Sequence, residues 1–489
     1  MMHYFITSEK PDTHFINIKW TIPNLHQDIV HVQLPSWRPG RYELQHYAKN
    51  LRDFTVANEQ GNPVAFRKVS KDRWEIDTAG INKIEISYAY FANQPDAGAS
   101  YVCEEFLYLN PVNALMYVEG RMDEPGIVEF GIPEHWEIAT QLPVKSKHLF
   151  SVENYDFLAD SPLIASGNLE HYSFQQFNTT FHMWFEGKHT IDPNRLLEDT
   201  RHYAEVQHNV FGELPCEHYH FLYLMLDKPF RHGVEHLNST VIAMGISPDA
   251  TTEEFYNDLL AISSHELFHL WNVKRIRPEE MLPYDFTREN YSHLGYVYEG
   301  VTTYYGDLFL LRSGVWNLDQ YLDSLQADLK RHFDNEGRFH YSVAESSWDT
   351  WLDGYVPGIP GRKVSIYIEG LIAALVADIM ILKNSKGKYR LDQVLNDLYH
   401  HDYKSGKGYN EARYQALLEQ YGGCSFVPYF KDLIWGKGQH EVWLRETLVS
   451  IGLELQVQEG DSGAVIRLNR VENQTDQQKE LFGYWIKAV

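Results

Sequence analysis

Asp258-Leu-Leu-Ala-Ile-Ser-Ser-His265-Glu266-Leu-Phe-His269-Leu-Trp271 is the stretch through which the rest of the chain becomes intelligible. Two histidines four apart on an α-helix sit about 40° from one another around its axis, so both imidazoles can reach one ion from the same face. Glu266 falls beside them, at an angle that misses the ion but reaches a water on its open side, where a general base belongs. Upstream, Thr251-Thr252-Glu253-Glu254 predicts a capping box, and Phe255, Leu259 and Ile262 follow at helical spacing on a packed face. In a chain with 24 histidines the spacing alone can arise by chance, so a second stretch decides. Leu294-Gly-Tyr-Val-Tyr-Glu299-Gly-Val-Thr-Thr-Tyr-Tyr-Gly-Asp307-Leu308 supplies the carboxylate that a three-ligand catalytic zinc needs. Together the two stretches predict one zinc per chain, held by His265, His269 and Glu299, with Glu266 as base. Asp307, two turns beyond Glu299, is the nearest candidate for a residue that orients the ligands from behind.

A chain of 489 residues exceeds what one core usually supports and predicts several domains. Its 43 Lys and Arg against 67 Asp and Glu give a net charge of −24, which speaks against nucleic acid and anionic membrane surfaces as partners. The first residues, Met-Met-His-Tyr-Phe-Ile-Thr-Ser-Glu-Lys10, lack the basic start and apolar core of a signal peptide. The longest apolar run, Val364 to Leu382, contains Glu369 and Asp378, so it predicts a buried helix and not a membrane span. Cys103, Cys216 and Cys424 have no metal-binding spacing and are expected as free thiols in a reducing cytoplasm.

From the N-terminus the apolar period is two. Ile16, Ile18, Trp20 and Ile22 alternate with polar residues, as do Val30, Val32 and Leu34, and the pattern returns at Ile84, Ile86, Tyr88 and Tyr90. This predicts an N-terminal antiparallel β domain over residues 1–170. Leu34-Pro-Ser-Trp-Arg-Pro-Gly-Arg-Tyr42 is a rigid aromatic loop within it. After one more strand near 177–186, a helix is expected over 193–212 and a strand over 219–226. The strand runs toward a loop or edge strand bearing Gly233-Val234-Glu235-His236. Taken alone Glu235 is an ordinary solvated carboxylate near an edge that could hydrogen-bond an extended peptide. The metal helix is expected to run to about Lys274, and a second helix, from about Asn290, to carry Glu299. Helices are then expected at 318–329, 364–383, 391–400, 410–420 and 438–450, followed by two strands around Leu453–Val457 and Val465–Leu468.

With both metal stretches and Trp37-Arg-Pro-Gly-Arg-Tyr42 in view, residues 1–455 resemble the glycyl aminopeptidase family of zinc metallopeptidases, whose members usually end in a PDZ domain. The resemblance rests also on Tyr47-Ala-Lys-Asn50, Gly233-Val-Glu-His236, Leu270-Trp-Asn-Val-Lys-Arg-Ile-Arg-Pro278 and Glu299-Gly-Val-Thr-Thr-Tyr-Tyr-Gly-Asp-Leu308. It implies a multidomain α+β architecture: a β domain at 1–170, a thermolysin-like catalytic domain at 171–320 and a helical C-terminal domain at 321–455. Residues 456–489 form a short tail, too short for a complete PDZ domain. It also implies that Glu235, with Gly233, holds a substrate's free α-amino group, and that Tyr367 steadies the oxyanion. Without the resemblance Tyr367 would be a core tyrosine. Two departures stand out. His232 occupies a position where the family usually has glycine, and Glu369-Gly370 follows Tyr367 where Lys-Gly is usual.

The expected activity is release of small N-terminal residues, Gly or Ala, from peptides with a free N-terminus. One alternative is an endopeptidase with the same chemistry in an open cleft. Another is a degenerate peptide-binding protein, against which stands the presence of ligands, base and oxyanion donor together.

Overall fold

The computed structural model describes residues 1–461 and 463–488, which fall into two compact units. The first comprises Met1–Ile191, Cys216–Tyr256 and Asp285–Glu289. Its largest sheet has seven strands in the order Val144–Ser146, Leu149–Val152, Gly126–Gly131, Met2–Thr7, Phe15–Ile22, Ile84–Phe91, Leu51–Asn58. The period-two reading of these strands holds: Ile16, Ile18, Trp20 and Ile22 all point into the core. Pairing in this sheet is antiparallel but for one pair, Met2–Thr7 beside Gly126–Gly131. Two four-stranded sheets complete this part, one built around Ile29–Gln33 and Arg73–Asp77, the other around Phe106–Leu109 and Leu163–Ser166.

A five-stranded sheet follows in the order Glu170–Gln176, Thr179–Glu186, His218–Met225, Ser239–Gly245, Phe230–Glu235. Thr179–Glu186, His218–Met225 and Ser239–Gly245 run parallel. Ser239–Gly245 is buried on both faces, as expected of a central strand. Phe230–Glu235 is the edge strand, antiparallel to it, with Glu235 opposite Thr240. One apolar cluster sets this edge: Val234, Val241, Ala243, Leu222 and Leu224 pack with Tyr108, Ala139 and Ile164 of the neighbouring sheet.

The second unit comprises Asp192–Pro215, Asn257–Tyr284 and the chain from Asn290 onward. It is helical, as the sequence period predicts, with Pro193–Phe211, Leu318–Phe333, Ile366–Asn384, Glu411–Gly422 and His440–Ser450 as its longer members. Ile366–Asn384 is buried on nearly every side and forms the centre of the unit. Its two acids have found partners: Glu369 accepts from His332 Nδ1 at 2.7 Å, and Asp378 accepts from the Tyr304 hydroxyl at 2.6 Å and faces Arg312 at 3.6 Å. Among the described residues no helix is long and apolar enough to cross a membrane. The hairpin Leu453–Gly460/Gly463–Arg470 and a last helix, Asp476–Ile486, pack into this unit. Leu468 N–H donates to Gln326 Oε1 at 2.8 Å, and the buried Trp485 indole donates to the Tyr304 hydroxyl at 2.8 Å.

Candidate active site

The helix Thr252–Phe268 starts as expected. Thr251 N–H donates to Glu254 Oε2 at 2.7 Å and Glu254 N–H to Thr251 Oγ1 at 3.1 Å, a reciprocal capping box. It ends a turn and a half earlier than the sequence reading put it, at Phe268 and not near Lys274. There the ladder lapses into tighter bonding, Leu270 N–H on Leu267 C=O at 3.0 Å and Trp271 N–H on Phe268 C=O at 3.1 Å, and the chain turns so that the Asn272 carbonyl meets His269 Nδ1 at 2.6 Å. A carbonyl only accepts, so Nδ1 carries the proton and His269 Nε2 is left with a bare lone pair, the form that binds a metal.

Glu299 lies in Tyr296–Val301, one wide turn with i→i+5 bonding that runs straight into the α-helix Thr302–Arg312. The expected start near Asn290 is therefore six residues early. Wide turns of this kind re-aim one side chain within a helix and recur at functional sites. Two sets of hydrogen bonds align this segment with the histidine helix. Asn272 Nδ2 donates to Val297 C=O at 3.0 Å and to Thr302 Oγ1 at 3.1 Å, while Ser264 Oγ donates to Gly306 C=O at 2.7 Å. Gln207 Nε2 reaches Ser264 C=O at 2.9 Å from the helix Pro193–Phe211.

The result is a converged triad. His265 Nε2 and His269 Nε2 are 3.1 Å apart, and Glu299 Oε2 lies 3.5 Å from His269 Nε2 and 3.9 Å from His265 Nε2. Nitrogen and oxygen ligands about 2.1 Å from a tetrahedral zinc are separated by about 3.4 Å, so these three fit one ion without rearrangement. His269 and Glu299 are buried and His265 is half-buried, which leaves one side open. Glu266, next to His265, is buried. Asp307 Oδ2 accepts from Ser324 Oγ at 2.6 Å. The partner that sets the His269 tautomer is the Asn272 carbonyl, which no sequence pattern announces.

Tyr367 is the second residue of the helix Ile366–Asn384, half-buried between the buried Ile366 and Ile368. One turn on, Gly370 meets Gly300 backbone to backbone. A Cβ on Gly300 would stand 2.2 Å from Gly370 Cα, and one on Gly370 would stand 2.6 Å from Gly300 Cα. Tyr367 and Gly370 share a helix face, so this contact holds the tyrosine's helix against the segment that carries Glu299. The neighbouring Glu369, the departure noted above, points away into the pair with His332.

In the first unit Glu235 is not the solvated carboxylate its sequence alone suggests. It is 4% exposed, and its Oε1 has no hydrogen-bond partner. The loop Leu34–Tyr42 explains the burial. Ser36 N–H donates to Phe286 C=O at 2.8 Å and the Trp37 indole to Asp285 C=O at 2.7 Å. Arg38-Pro39-Gly40-Arg41 then makes a turn with Gly40 at φ +78°. Gly40 lies so close to Glu235 that a Cβ there would meet Oε2 at 2.5 Å. Gly233 lies on the same edge strand, and His232 before it faces Asp96 at 3.8 Å. Burial, with Arg38 and Arg41 nearby, pushes the His232 imidazole down to about 4, so it is neutral at pH 7.

Comparison with known proteins gives the family and the fold. The family model of the M61 peptidase N-terminal domain matches residues 3–167, and that of the M61 glycyl aminopeptidases matches residues 258–373. Among solved structures, an aminopeptidase N family protein from Idiomarina loihiensis is 27% identical, with a TM-score of 0.89 over 98% of this chain and 82% of that one. A mutant M1 zinc metallopeptidase from Deinococcus radiodurans, solved with a Tyr-Ser-Ala substrate, shares the fold at 12% identity. Its TM-score is 0.53 over 89% of this chain and 94% of that one. No curated protein matches. The two family models together span more than half of the sequence: the chain belongs to the M61 glycyl aminopeptidase family and is a metallopeptidase.

Proposed function

We propose that the chain is a zinc aminopeptidase that removes small residues, glycine or alanine, from peptides with a free N-terminus. The observation that carries this reading is the convergence of His265 Nε2, His269 Nε2 and Glu299 Oε2 at 3.1–3.9 Å, with Glu266 beside them. These three residues would hold one zinc ion. When bound, the ion supplies a Lewis acid and makes water acidic enough to attack an amide at neutral pH. Glu266 takes the proton of the attacking water on its carboxylate and delivers it to the nitrogen of the departing amine. Tyr367 donates its hydroxyl hydrogen to the oxyanion that develops on the scissile carbonyl.

Glu235 takes the substrate's α-ammonium. Its buried, unpartnered Oε1 supports this role, since such an oxygen costs about 1–3 kcal/mol unless a ligand donor satisfies it. A charge-assisted contact of that kind makes a free N-terminus a condition of productive binding and separates this reading from an endopeptidase. Cys103, Cys216 and Cys424 stay unbridged, which supports a cytoplasmic setting. The test is hydrolysis of glycyl and alanyl amides against their N-acetylated forms, in wild type and in Glu235→Ala. We expect acetylation to abolish cleavage in wild type. Glu235→Ala should lower kcat/KM for free-amine substrates by about 2–5 kcal/mol while N-blocked peptides change little. A blocked-to-free ratio that is the same in both proteins removes Glu235 from the site and leaves the endopeptidase reading.

A further inference from the structure

The motif Trp37-Arg-Pro-Gly-Arg-Tyr42 has so far been assigned only to shaping the loop that covers Glu235. Its first arginine carries more. Arg38 is 2% exposed, yet no carboxylate lies within ion-pair distance of it among the described residues, and its one hydrogen bond runs from Nη1 to Pro39 C=O at 3.0 Å. The chain makes room for this placement: a Cβ at position 98 would stand 1.9 Å from Arg38 Nη2, so only glycine admits the guanidinium there. A buried, unpaired arginine is costly and is not expected to persist without an anion to meet it.

Arg38 lines a cavity of about 190 Å³ wholly within the first unit, together with Arg41, Lys49, Tyr47, Asn113 and Asp96. Arg41 is neutralised by Glu43 at 2.9 Å. Asp96, the one acid in the lining, already accepts from Gln94 Nε2 at 2.5 Å and from Gly98 N–H at 2.8 Å. Lys49, like Arg38, has no ion-pair partner among the described residues, but it is exposed to solvent, so the buried cation that remains to be matched is Arg38. Two further buried polar atoms of the lining, the Tyr47 hydroxyl and Asn113 Oδ1, also lack partners. Burial holds the Tyr47 hydroxyl protonated, which makes it a donor.

We propose that this cavity is a carboxylate-binding subsite, in which the Arg38 guanidinium takes the anion with help from Lys49 and the Tyr47 hydroxyl. The planar fork of arginine matches a carboxylate with two parallel hydrogen bonds, a geometry that a lone lysine does not offer. If the reading of Glu235 as the amine holder is right, the carboxylate is the C-terminus of a short peptide. Arg38 and Gly40 then belong to one turn: Gly40 abuts Glu235, whose carboxylate takes the ammonium end of a small zwitterionic substrate, while Arg38 takes the carboxylate end. A free organic acid offers the same chemistry, and the experiment separates the two sources.

The binding arm uses calorimetry on the full chain with N-acetylglycylglycine, its C-terminal amide and inorganic phosphate as probes. None of these depends on cleavage of a free N-terminus. The acid should bind about tenfold or more tightly than the amide, as expected for a charge-assisted pair. Arg38→Gln should lose that preference. Because Arg38 is buried and its variant can fail to fold, Lys49→Gln and Tyr47→Phe, checked by thermal unfolding, are expected to shrink the preference several-fold. Equal affinity for acid and amide, phosphate bound in place of the acid, or folded variants that keep the full preference would overturn the proposal. The kinetic arm compares KM for triglycine and triglycinamide. A lower KM for the acid identifies a peptide terminus, and equal KM with the binding preference intact identifies a free organic acid. Absence of any hydrolysis with the preference intact refutes the proposed function and leaves the subsite standing.

Discussion

Gly300→Ala is the sharpest perturbation of the metal centre that leaves every ligand in place. The new Cβ would lie 2.2 Å from Gly370 Cα, 2.6 Å from Gly370 C and 2.9 Å from Ile366 O, all backbone atoms of a buried helix that no rotamer change can move. An ordinary carbon–carbon contact needs about 3.5 Å, so the helix Ile366–Asn384 and the turn Tyr296–Val301 must separate by about 1 Å. Overpacking of this kind costs up to about 3 kcal/mol, and the gain in helix propensity returns about 1, leaving a net loss of about 2 kcal/mol. Because position 300 follows Glu299, the same shift moves the carboxylate away from two imidazoles it meets at 3.5 and 3.9 Å. A displacement of about 1 Å is worth on the order of a hundredfold in a preorganised site. The assay is thermal unfolding with and without chelator, together with zinc content after dialysis against a zinc buffer. Gly370→Ala should behave alike from the other side, whereas Gly483→Ala, where nothing lies within 4 Å, should be neutral or mildly stabilising. Wild-type unfolding and zinc affinity in Gly300→Ala would refute the reasoning.

Five further outcomes are expected. His269→Ala should strip the metal, and stoichiometric zinc surviving dialysis would reject the ligand set. Glu266→Gln should keep zinc and lose about 10³-fold or more in kcat, and Tyr367→Phe should lose about 10²–10³-fold in kcat, both read by steady-state kinetics. Arg312→Met should destabilise by about 3–5 kcal/mol in denaturant titration, since Arg312 is the cation facing buried Asp392 at 3.1 Å and Asp378 at 3.6 Å. His232 is depressed in the fold to about 4 from the ordinary 6.5, so on acidification the unfolded chain takes up its proton first. Its contribution is present above pH 6.5, and roughly 2 kcal/mol of it should be gone by pH 5, a component that His232→Gln removes from the pH dependence of unfolding.

Much of the fold was legible because apolar period is a local property. The alternation Ile16, Ile18, Trp20, Ile22 and the stripe Leu322, Leu325, Leu329 give Phe15–Ile22 and Leu318–Phe333 directly. The strand Glu170–Gln176 escaped because Phe174 alone on it is buried, so it carries no alternation. The closing helix Asp476–Ile486 escaped although its signals were present: Thr475 and Gln478 form a capping box, and Leu481, Phe482 and Trp485 share one face. Eleven residues after a hairpin are too few for that spacing to stand out from a tail.

The site divides along the same line between local and distant causes. His265 and His269 could be paired from spacing alone, because one helix fixes their relative position within a single turn. Bringing Glu299 to them depends on contacts that no spacing encodes: the Asn272 amide across to Val297 and Thr302, Ser264 to Gly306, and the backbone contact of Gly300 with Gly370. Glu235 is the extreme case. An isolated glutamate on an edge strand reads as solvated, and only the packing of Gly40 upon it, from nearly two hundred residues earlier in the chain, turns it into a buried carboxylate with a free oxygen. The residues that perform chemistry are thus visible as types and spacings. The residues that make the chemistry possible are a glycine, an asparagine and a serine, whose roles exist only once the chain has folded.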